Sequence, residues 1–141
     1  MEKLSLDSSV AIKWFSEEED TDKALKIRDL HVKGDIELIV SHMLFYEVIN
    51  ALRYKPDFTI NHLNRAIDAL FKLHMKIYEF NEKILKRCSE IAVNEGVTVY
   101  DAISVAIAES EKTLCVTADE KTQYNRLKGR YPIILLKDYK I

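Results

Sequence analysis

The chain has 141 residues, of which 48% are hydrophobic and 31% are charged. These values are typical of one soluble globular domain over residues 1–141, and they predict no long disordered segment. The net charge is −2, from 21 basic and 23 acidic residues, which excludes binding of nucleic acid through an overall positive charge. Any polyanion would therefore have to be met by a local basic patch or through metal ions.

In the first half of the chain, short apolar runs alternate with segments of helical periodicity. Two strands are predicted, at residues 3–6 and 37–40. Four helical segments are predicted, the second of them ending at a glycine, at residues 9–15, 22–32, 43–53 and 59–75. The last of these segments carries an amphipathic stripe that favours core packing but would also suit a homodimer or a groove for a partner helix.

The second half continues the alternation with three strands and two helices. The strands are predicted at residues 76–80, 113–117 and 132–136, and the helices at 82–94 and 98–111. Apolar strands without alternation, separated by crossover helices, indicate a parallel sheet buried on both faces. We therefore predict an α/β fold, a three-layer α/β/α sandwich around a central, mostly parallel sheet of about five strands.

The two cysteines, Cys88 and Cys115, are far apart, and neither belongs to a CxxC pair. This spacing predicts free, inert thiols rather than a zinc ribbon or a disulfide framework. No apolar stretch approaches the roughly 20 residues that a membrane span requires, and the first residues lack a secretory pattern. We therefore expect a cytoplasmic protein without membrane contact.

Four acidic residues lie where an apolar segment meets a turn or a helix: Asp7, Glu47, Asp101 and Asp119. Asp7 and Asp119 follow predicted strands, and open α/β sheets bind ligands beyond the carboxyl ends of their strands. Two carboxylates about 4 Å apart would repel each other by roughly 4 kcal/mol at an effective dielectric constant near 20. Such a cluster predicts either a bound divalent cation or protonation of some of the acids.

Each acid also has a purely structural interpretation. Asp7 could cap the following helix, and Asp101 could favour the positive end of a helix dipole. The segment from Thr117 to Glu120 matches a capping box, with the threonine as N-cap. Glu47 is the hardest to explain in this way, because its helix is apolar on nearly every side.

Four short segments around these acids resemble, in order and spacing, the signatures of PIN-domain nucleases, and most of all those of VapC-type toxins from toxin–antitoxin pairs. The segments are Leu6-Asp7-Ser8-Ser9-Val10, Glu47-Val48-Ile49-Asn50-Ala51-Leu52, the run from Tyr100-Asp101-Ala102-Ile103 through Ala108, and Thr117-Ala118-Asp119. The resemblance covers nearly the whole chain and implies a PIN-like fold. It further implies a metal-dependent endoribonuclease that hydrolyses RNA phosphodiester bonds, leaving a 5′-phosphate and a 3′-hydroxyl.

The same resemblance assigns roles to individual residues and implies partners. The four acids would be the catalytic and metal-binding set, Ser9 and Thr117 would orient ligands or phosphate, and Asn50 could support the site. An all-oxygen set without His or Cys favours Mg²⁺, with Mn²⁺ as a substitute, over Zn²⁺. The implied partners are an RNA substrate, a small cognate antitoxin and a second copy of the chain in a homodimer.

Three other functions remain open from the sequence. A housekeeping PIN nuclease in RNA processing would use the same acids. A flavodoxin-like phosphoacceptor domain also places an Asp after its first strand, and Thr117 and Lys137 mimic its helper residues, but the predicted strand 76–80 offers no phosphoacceptor. A catalytically silent PIN-like scaffold would bind RNA or protein without cleavage.

Overall fold

Five parallel strands form a single sheet in the computed structural model, which describes residues 2–141. The strands are β1 (Glu2–Leu6), β2 (Ile36–Val40), β3 (Lys76–Ile77), β4 (Leu114–Thr117) and β5 (Ile133–Leu135). Their spatial order is β3-β2-β1-β4-β5, and every neighbouring pair is parallel. This order differs from the 2-1-3-4-5 order of flavodoxin-like domains, so the phosphoacceptor alternative is wrong in topology.

Seven α-helices connect the strands: α1 (Ser8–Ile12), α2 (Thr21–Lys33), α3 (Met43–Arg53), α4 (Ile60–Lys72), α5 (Glu82–Glu95), α6 (Val99–Glu111) and α7 (Asn125–Leu127). A π-helix (Glu120–Tyr124) precedes α7, and a 3₁₀ turn (Leu136–Asp138) follows β5. Both ends of α5 are capped, because Asn81 accepts from the Ile84 amide at 2.9 Å and Gly96 ends the helix at φ +71°. Within residues 2–141 no single helix could cross a membrane; α5 and α6 reach the required length and hydropathy only together, bent by 119°.

Two apolar clusters lie on opposite faces of the sheet, which confirms the three-layer architecture. On β2, Leu38 and Val40 belong to one cluster, with α1 to α4, whereas Ile39 between them belongs to the other, with α5, α6 and α7. Successive side chains of a strand point to opposite faces, so this alternation assigns the helices to two layers. The central strands are therefore buried on both faces, as predicted.

The structure differs from the sequence predictions mainly at the edges. The third strand is only two residues long and exposed, not residues 76–80, because β2 ends at Val40, which pairs with Ile77, and later residues have no strand beside them. The stripe on α4 is only partly buried, with Ile60 70% and Phe71 60% exposed. The π-helix and α7 were not predicted.

The chain runs from β1 outwards to β2 and β3, and then crosses back to β4 on the other side of β1. The connections from the two central strands, β1 and β4, therefore diverge at their carboxyl ends. Such a topological switch point leaves a crevice where open α/β sheets bind ligands. Asp7 and Asp119 follow the two strands that border this crevice.

Candidate active site

The four acids come from four different elements that meet at this crevice. Asp7 directly follows β1, and its amide donates to the Val116 carbonyl of β4 at 3.1 Å. Asp119 lies two residues beyond β4, Glu47 lies in the middle of α3, and Asp101 lies in the first turn of α6. All four side chains are half-buried. The fold therefore carries residues up to 112 positions apart to one edge of the sheet, since Asp7 and Asp119 are 119 − 7 positions apart.

The pKa values of the two helix-borne acids report this convergence. Burial, followed by the negative charges of Asp7 and Asp101, raises the pKa of Glu47 from 4.5 to about 7. Burial also raises the pKa of Asp101; hydrogen bonding to Thr98 offsets part of this increase, and the negative charges of Asp7 and Asp119 add smaller increases. Among residues 2–141 no Lys, Arg or His forms an ion pair with any of the four acids. The site is thus a cluster of mutually repelling carboxylates without a protein counter-charge.

Asp7 has the most extensive hydrogen bonding of the four acids. Its Oδ2 accepts from the Ser9 amide at 3.1 Å and from the Ser9 hydroxyl at 2.6 Å. Its Oδ1 accepts from the Ser104 hydroxyl at 3.4 Å and from Gln123 Nε2 at 3.3 Å. The predicted capping of the following helix is confirmed, and it coexists with membership of the cluster, because only one carboxylate oxygen is used for the cap.

The hydroxyls of Ser9 and Thr117 are directed inwards. Ser9 Oγ donates to Asp7 and accepts from the Ala118 amide at 2.9 Å. Thr117 Oγ1 donates to Gln123 Oε1 and accepts from the Asp119 amide at 3.1 Å. Each hydroxyl has a single proton, and both protons are committed to protein acceptors. These two residues therefore orient the carboxylates and the backbone around them.

Asp119 caps the π-helix. Its Oδ1 accepts from the Thr122 amide at 3.0 Å, and its Oδ2 accepts from the Thr122 hydroxyl. The capping box predicted from Thr117 to Glu120 is wrong, because the threonine side chain faces Gln123 in the interior and Glu120 pairs with Lys137 at 3.6 Å. The cap is thus the acid itself, two residues later than the sequence suggested.

Asn50 lies outside the hydrogen-bonded part of the site. It is exposed in a groove between α3 and α4, next to Tyr46, Ile49 and Phe71, with a volume of about 570 Å³. Within the part of the chain that the structure describes, its side chain forms no hydrogen bond with the acids or their partners. A supporting role for Asn50 stays a prediction.

The two cysteines and His31 have roles in packing and hydrogen bonding within the fold. Cys88 and Cys115 are free and buried, and burial raises the pKa of both thiols, which makes them poor nucleophiles. His31 links three elements, because its Nδ1 accepts from the Leu38 amide at 3.1 Å and its Nε2 lies 2.7 Å from the Leu73 carbonyl. These residues contribute to the core and not to the crevice.

Two polar residues of the site were not identified from the sequence, Gln123 and Ser104. Gln123 is fully buried and Ser104 is 6% exposed. Ser104 could have been noticed as a lone hydroxyl in an otherwise apolar stretch of α6. The sequence signal for Gln123 is weaker. It lies four residues before Leu127, which is fully buried, but this spacing places both side chains on one face only if the segment is helical.

The donor chemistry of the cluster fits a hard divalent cation. All four acids offer carboxylate oxygens, the ligands that Mg²⁺ and Mn²⁺ prefer, and the unbalanced negative charge would favour such an ion. Within residues 2–141, however, no three His, Cys, Asp or Glu side chains already converge as ligands on one point. The acids surround the crevice in an open arrangement, so binding of an ion would require rotation of their side chains.

Comparisons with known proteins agree with this architecture. The profile of the PIN domain family matches residues 4–128. A search of curated proteins found no significant sequence match. Similar solved structures include a toxin–antitoxin complex from Klebsiella pneumoniae, with 20% identity over 99% of both chains and a TM-score of 0.68. A protein from Pyrobaculum aerophilum is also similar, with 24% identity over 97% of this chain and 90% of that one and a TM-score of 0.67. VapBC2 from Rickettsia felis, bound to promoter DNA, shows 15% identity over 96% of this chain and 97% of that one, with a TM-score of 0.65.

These structural likenesses, all below 25% identity, establish a shared fold over almost the whole chain. The family profile begins just before Asp7 and ends just after the π-helix and α7. It therefore includes all four acids and the elements that bring them together. On this basis the chain belongs to the PIN domain family.

Proposed function

We propose that the protein is an Mg²⁺-dependent endoribonuclease and the cytoplasmic toxin of a VapBC-type toxin–antitoxin pair. PIN domains form a family of nucleases, and the family profile covers most of this chain. The observation that carries the proposal is the convergence of four uncompensated carboxylates at the topological switch point, where two of them have raised pKa values. A cluster of this kind is costly for the fold and is explained best by a cation that it binds.

In this proposal Asp7, Glu47, Asp101 and Asp119 hold the ion. When bound, it would polarise the phosphodiester and generate a nucleophilic hydroxide from water. Asp7 is held in place by its hydrogen bonds to Ser9, whereas Glu47, with a pKa of about 7, would give up its proton as the ion binds. Mn²⁺ has the same ligand preference and should replace Mg²⁺.

An RNA substrate fits the charge distribution only with such an ion, because the chain is acidic overall and the crevice repels phosphate. Local cations lie close by in sequence. Lys121, Arg126 and Lys128 are exposed on the π-helix and α7 and around them, just after Asp119. They would contact the phosphate backbone on either side of the scissile bond.

The groove between α3 and α4 supports the proposal of protein partners. Tyr46 is 69% exposed and Phe71 is 60% exposed, and the ring of Phe71 lies 5.1 Å from that of Phe45. A continuous exposed apolar surface of this kind marks an interaction site more often than scattered apolar residues do. We propose that a small antitoxin and a second copy of the chain cover such surfaces, which co-expression with the antitoxin and measurement of solution mass would test.

The central experiment is cleavage of total RNA by the purified protein with Mg²⁺, with Mn²⁺ and with excess EDTA. Cleavage that requires the metal and leaves 5′-phosphate and 3′-hydroxyl ends would support the proposal. The Asp7→Asn variant, purified in parallel, controls for contaminating ribonuclease. Robust cleavage in EDTA would contradict the metal-dependent mechanism, and failure of millimolar Mn²⁺ to raise the melting temperature would favour a silent scaffold.

The toxin role is tested separately from the chemistry. Expression of the protein alone should arrest growth, and co-expression with a small protein encoded beside it should restore growth. Cleavage of one precursor RNA at a defined site, without growth arrest, would instead indicate the housekeeping role in RNA processing. Both results are compatible with the same four acids, so they decide the biological role and leave the catalytic assignment intact.

A further inference from the structure

A buried amide lies directly beneath the acids. The side chain of Gln123 is fully buried. Its Nε2 lies 2.8 Å from the Asp101 carbonyl oxygen, 3.3 Å from Asp7 Oδ1 and 3.3 Å from Ser104 Oγ, and its Oε1 accepts from the Thr117 hydroxyl. One side chain therefore connects the end of β1, the first turns of α6 and the end of β4.

The chemistry of the partners fixes the orientation of this amide. The Asp101 carbonyl oxygen can only accept, so the NH₂ group must face it and the Asp7 carboxylate oxygen beside it. One N–H is directed at the carbonyl, and the other is shared between Asp7 Oδ1 and Ser104 Oγ. On the other side of the amide group, Oε1 of Gln123 accepts the proton of the Thr117 hydroxyl. Among side chains of this size, only glutamine supplies two donors and an acceptor in this arrangement.

The backbone around Gln123 couples the amide to the fourth acid. Gln123 lies in the π-helix Glu120–Tyr124, whose N-cap is Asp119. Short π-helical turns are rare and occur frequently at functional sites. Leu127, four residues later, is also fully buried, so the segment is anchored from the inside at two points. A displacement of the amide would therefore move Asp119 as well as release Asp7.

We propose that Gln123 is a positioning residue that sets the geometry of the carboxylate cluster for its ion. It orients Asp7 through a direct hydrogen bond, fixes the first turn of α6 through the Asp101 carbonyl, and holds Thr117 so that its oxygen accepts the Asp119 amide. The inference rests on the proposed function, because it takes the four acids as the ion-binding site. Residues that orient metal ligands commonly change metal affinity by 10- to 100-fold when mutated.

The test is a Mn²⁺ titration of wild type and Gln123→Met, followed by the rise in melting temperature. Methionine keeps the length of the side chain and removes both donors. We expect the half-saturating Mn²⁺ concentration to rise about tenfold or more. In RNA cleavage, kcat should fall while KM for RNA stays unchanged, because Gln123 does not reach the surface. Ile27→Ala, a buried substitution on α2, a helix that carries none of the four acids, serves as the control for lost stability.

A double-mutant cycle with Thr117→Val separates positioning from a general packing defect. If the two side chains act through their hydrogen bond, their effects on Mn²⁺ half-saturation should be clearly less than additive. Thr117→Val alone also keeps the idea testable if Gln123→Met does not fold, since it removes the donor to Oε1 and should weaken Mn²⁺ binding in the same direction.

A Gln123→Met variant with the Mn²⁺ half-saturation and kcat of the Ile27→Ala control would overturn the positioning role, as would full additivity with Thr117→Val. In both cases a wild type that binds Mn²⁺ and cleaves RNA would leave the proposed function standing. A wild type that neither binds Mn²⁺ nor cleaves RNA would overturn both. Binding without cleavage would remove only the nuclease assignment, and the titration would still decide the role of Gln123.

Discussion

The strand-borne and the helix-borne halves of the acidic cluster are built on different principles. Asp7 and Asp119, at the ends of β1 and β4, accept hydrogen bonds from backbone amides, hydroxyls and the buried amide. Glu47 and Asp101, on α3 and α6, differ in that burial raises the pKa of both, and the charges of neighbouring acids add to the increase. The strand half is organised by the fold before any ligand arrives, whereas the helix half stays electrostatically unfavourable until a cation neutralises it.

The largest expected effect on activity comes from substitution of Asp7, one of the two acids that follow strands. Asp7→Asn keeps the shape of the side chain and its ability to accept from Ser9, but it removes a charge from the best-ordered acid. We expect RNA cleavage to fall on the order of 10²- to 10³-fold, the scale measured for loss of one preorganised electrostatic group. Single-turnover cleavage with saturating Mn²⁺ measures it, with Asp68→Asn, an exposed acid on α4, as the matched control. Activity within a few-fold of wild type would remove Asp7 from the proposed site.

The fold and the meeting of the four acids at one edge of the sheet were predictable because they depend on patterns that the sequence displays openly. Apolar runs at strand length and helical periodicity gave all five strands and the six longest helical segments. Asp7 and Asp119 could be placed together because the carboxyl ends of neighbouring parallel strands meet at one edge. Glu47 was noticeable as a charge in an apolar helix, and its half-burial and raised pKa agree with that reasoning.

The parts that could not be predicted depend on three-dimensional context. The length of β3 is set by where its neighbour β2 ends, which the sequence of residues 76–80 does not encode. The π-helix is capped by Asp119, which accepts from the Thr122 amide and hydroxyl. The sequence alone favoured a different cap, a capping box that begins at Thr117. Gln123 gains its importance only when three distant segments converge on it, so no local spacing could have identified it.

A second experiment tests whether the cation binds mainly because it neutralises Glu47 and Asp101, the two acids on helices. Glu47, with a pKa of about 7, must be ionised to bind a metal, and the raised pKa of Asp101 acts in the same direction. The Mn²⁺ affinity should therefore increase from pH 5.5 to pH 7.5, on the order of tenfold. Isothermal titration at the two pH values measures this change. In Glu47→Gln the binding should be weaker and most of the pH dependence lost; equal affinity of the wild type at both pH values would contradict the idea.

The smallest expected effect is on stability without metal. It measures the free-energy cost of holding Glu47, an acid on a helix, within the cluster. The pKa of Glu47 is raised from 4.5 to about 7, so the folded state binds more protons than the unfolded state within this window. The free energy of unfolding should therefore fall as the pH rises from 4.5 through 7, by about 1–2 kcal/mol after allowance for partial exposure. Glu47→Gln should remove this loss and raise the melting temperature in EDTA at pH 8 by about 3–5 °C. Asp68→Asn, at an exposed position, should change neither quantity, and a destabilised Glu47→Gln would show that the carboxylate is satisfied without a cation.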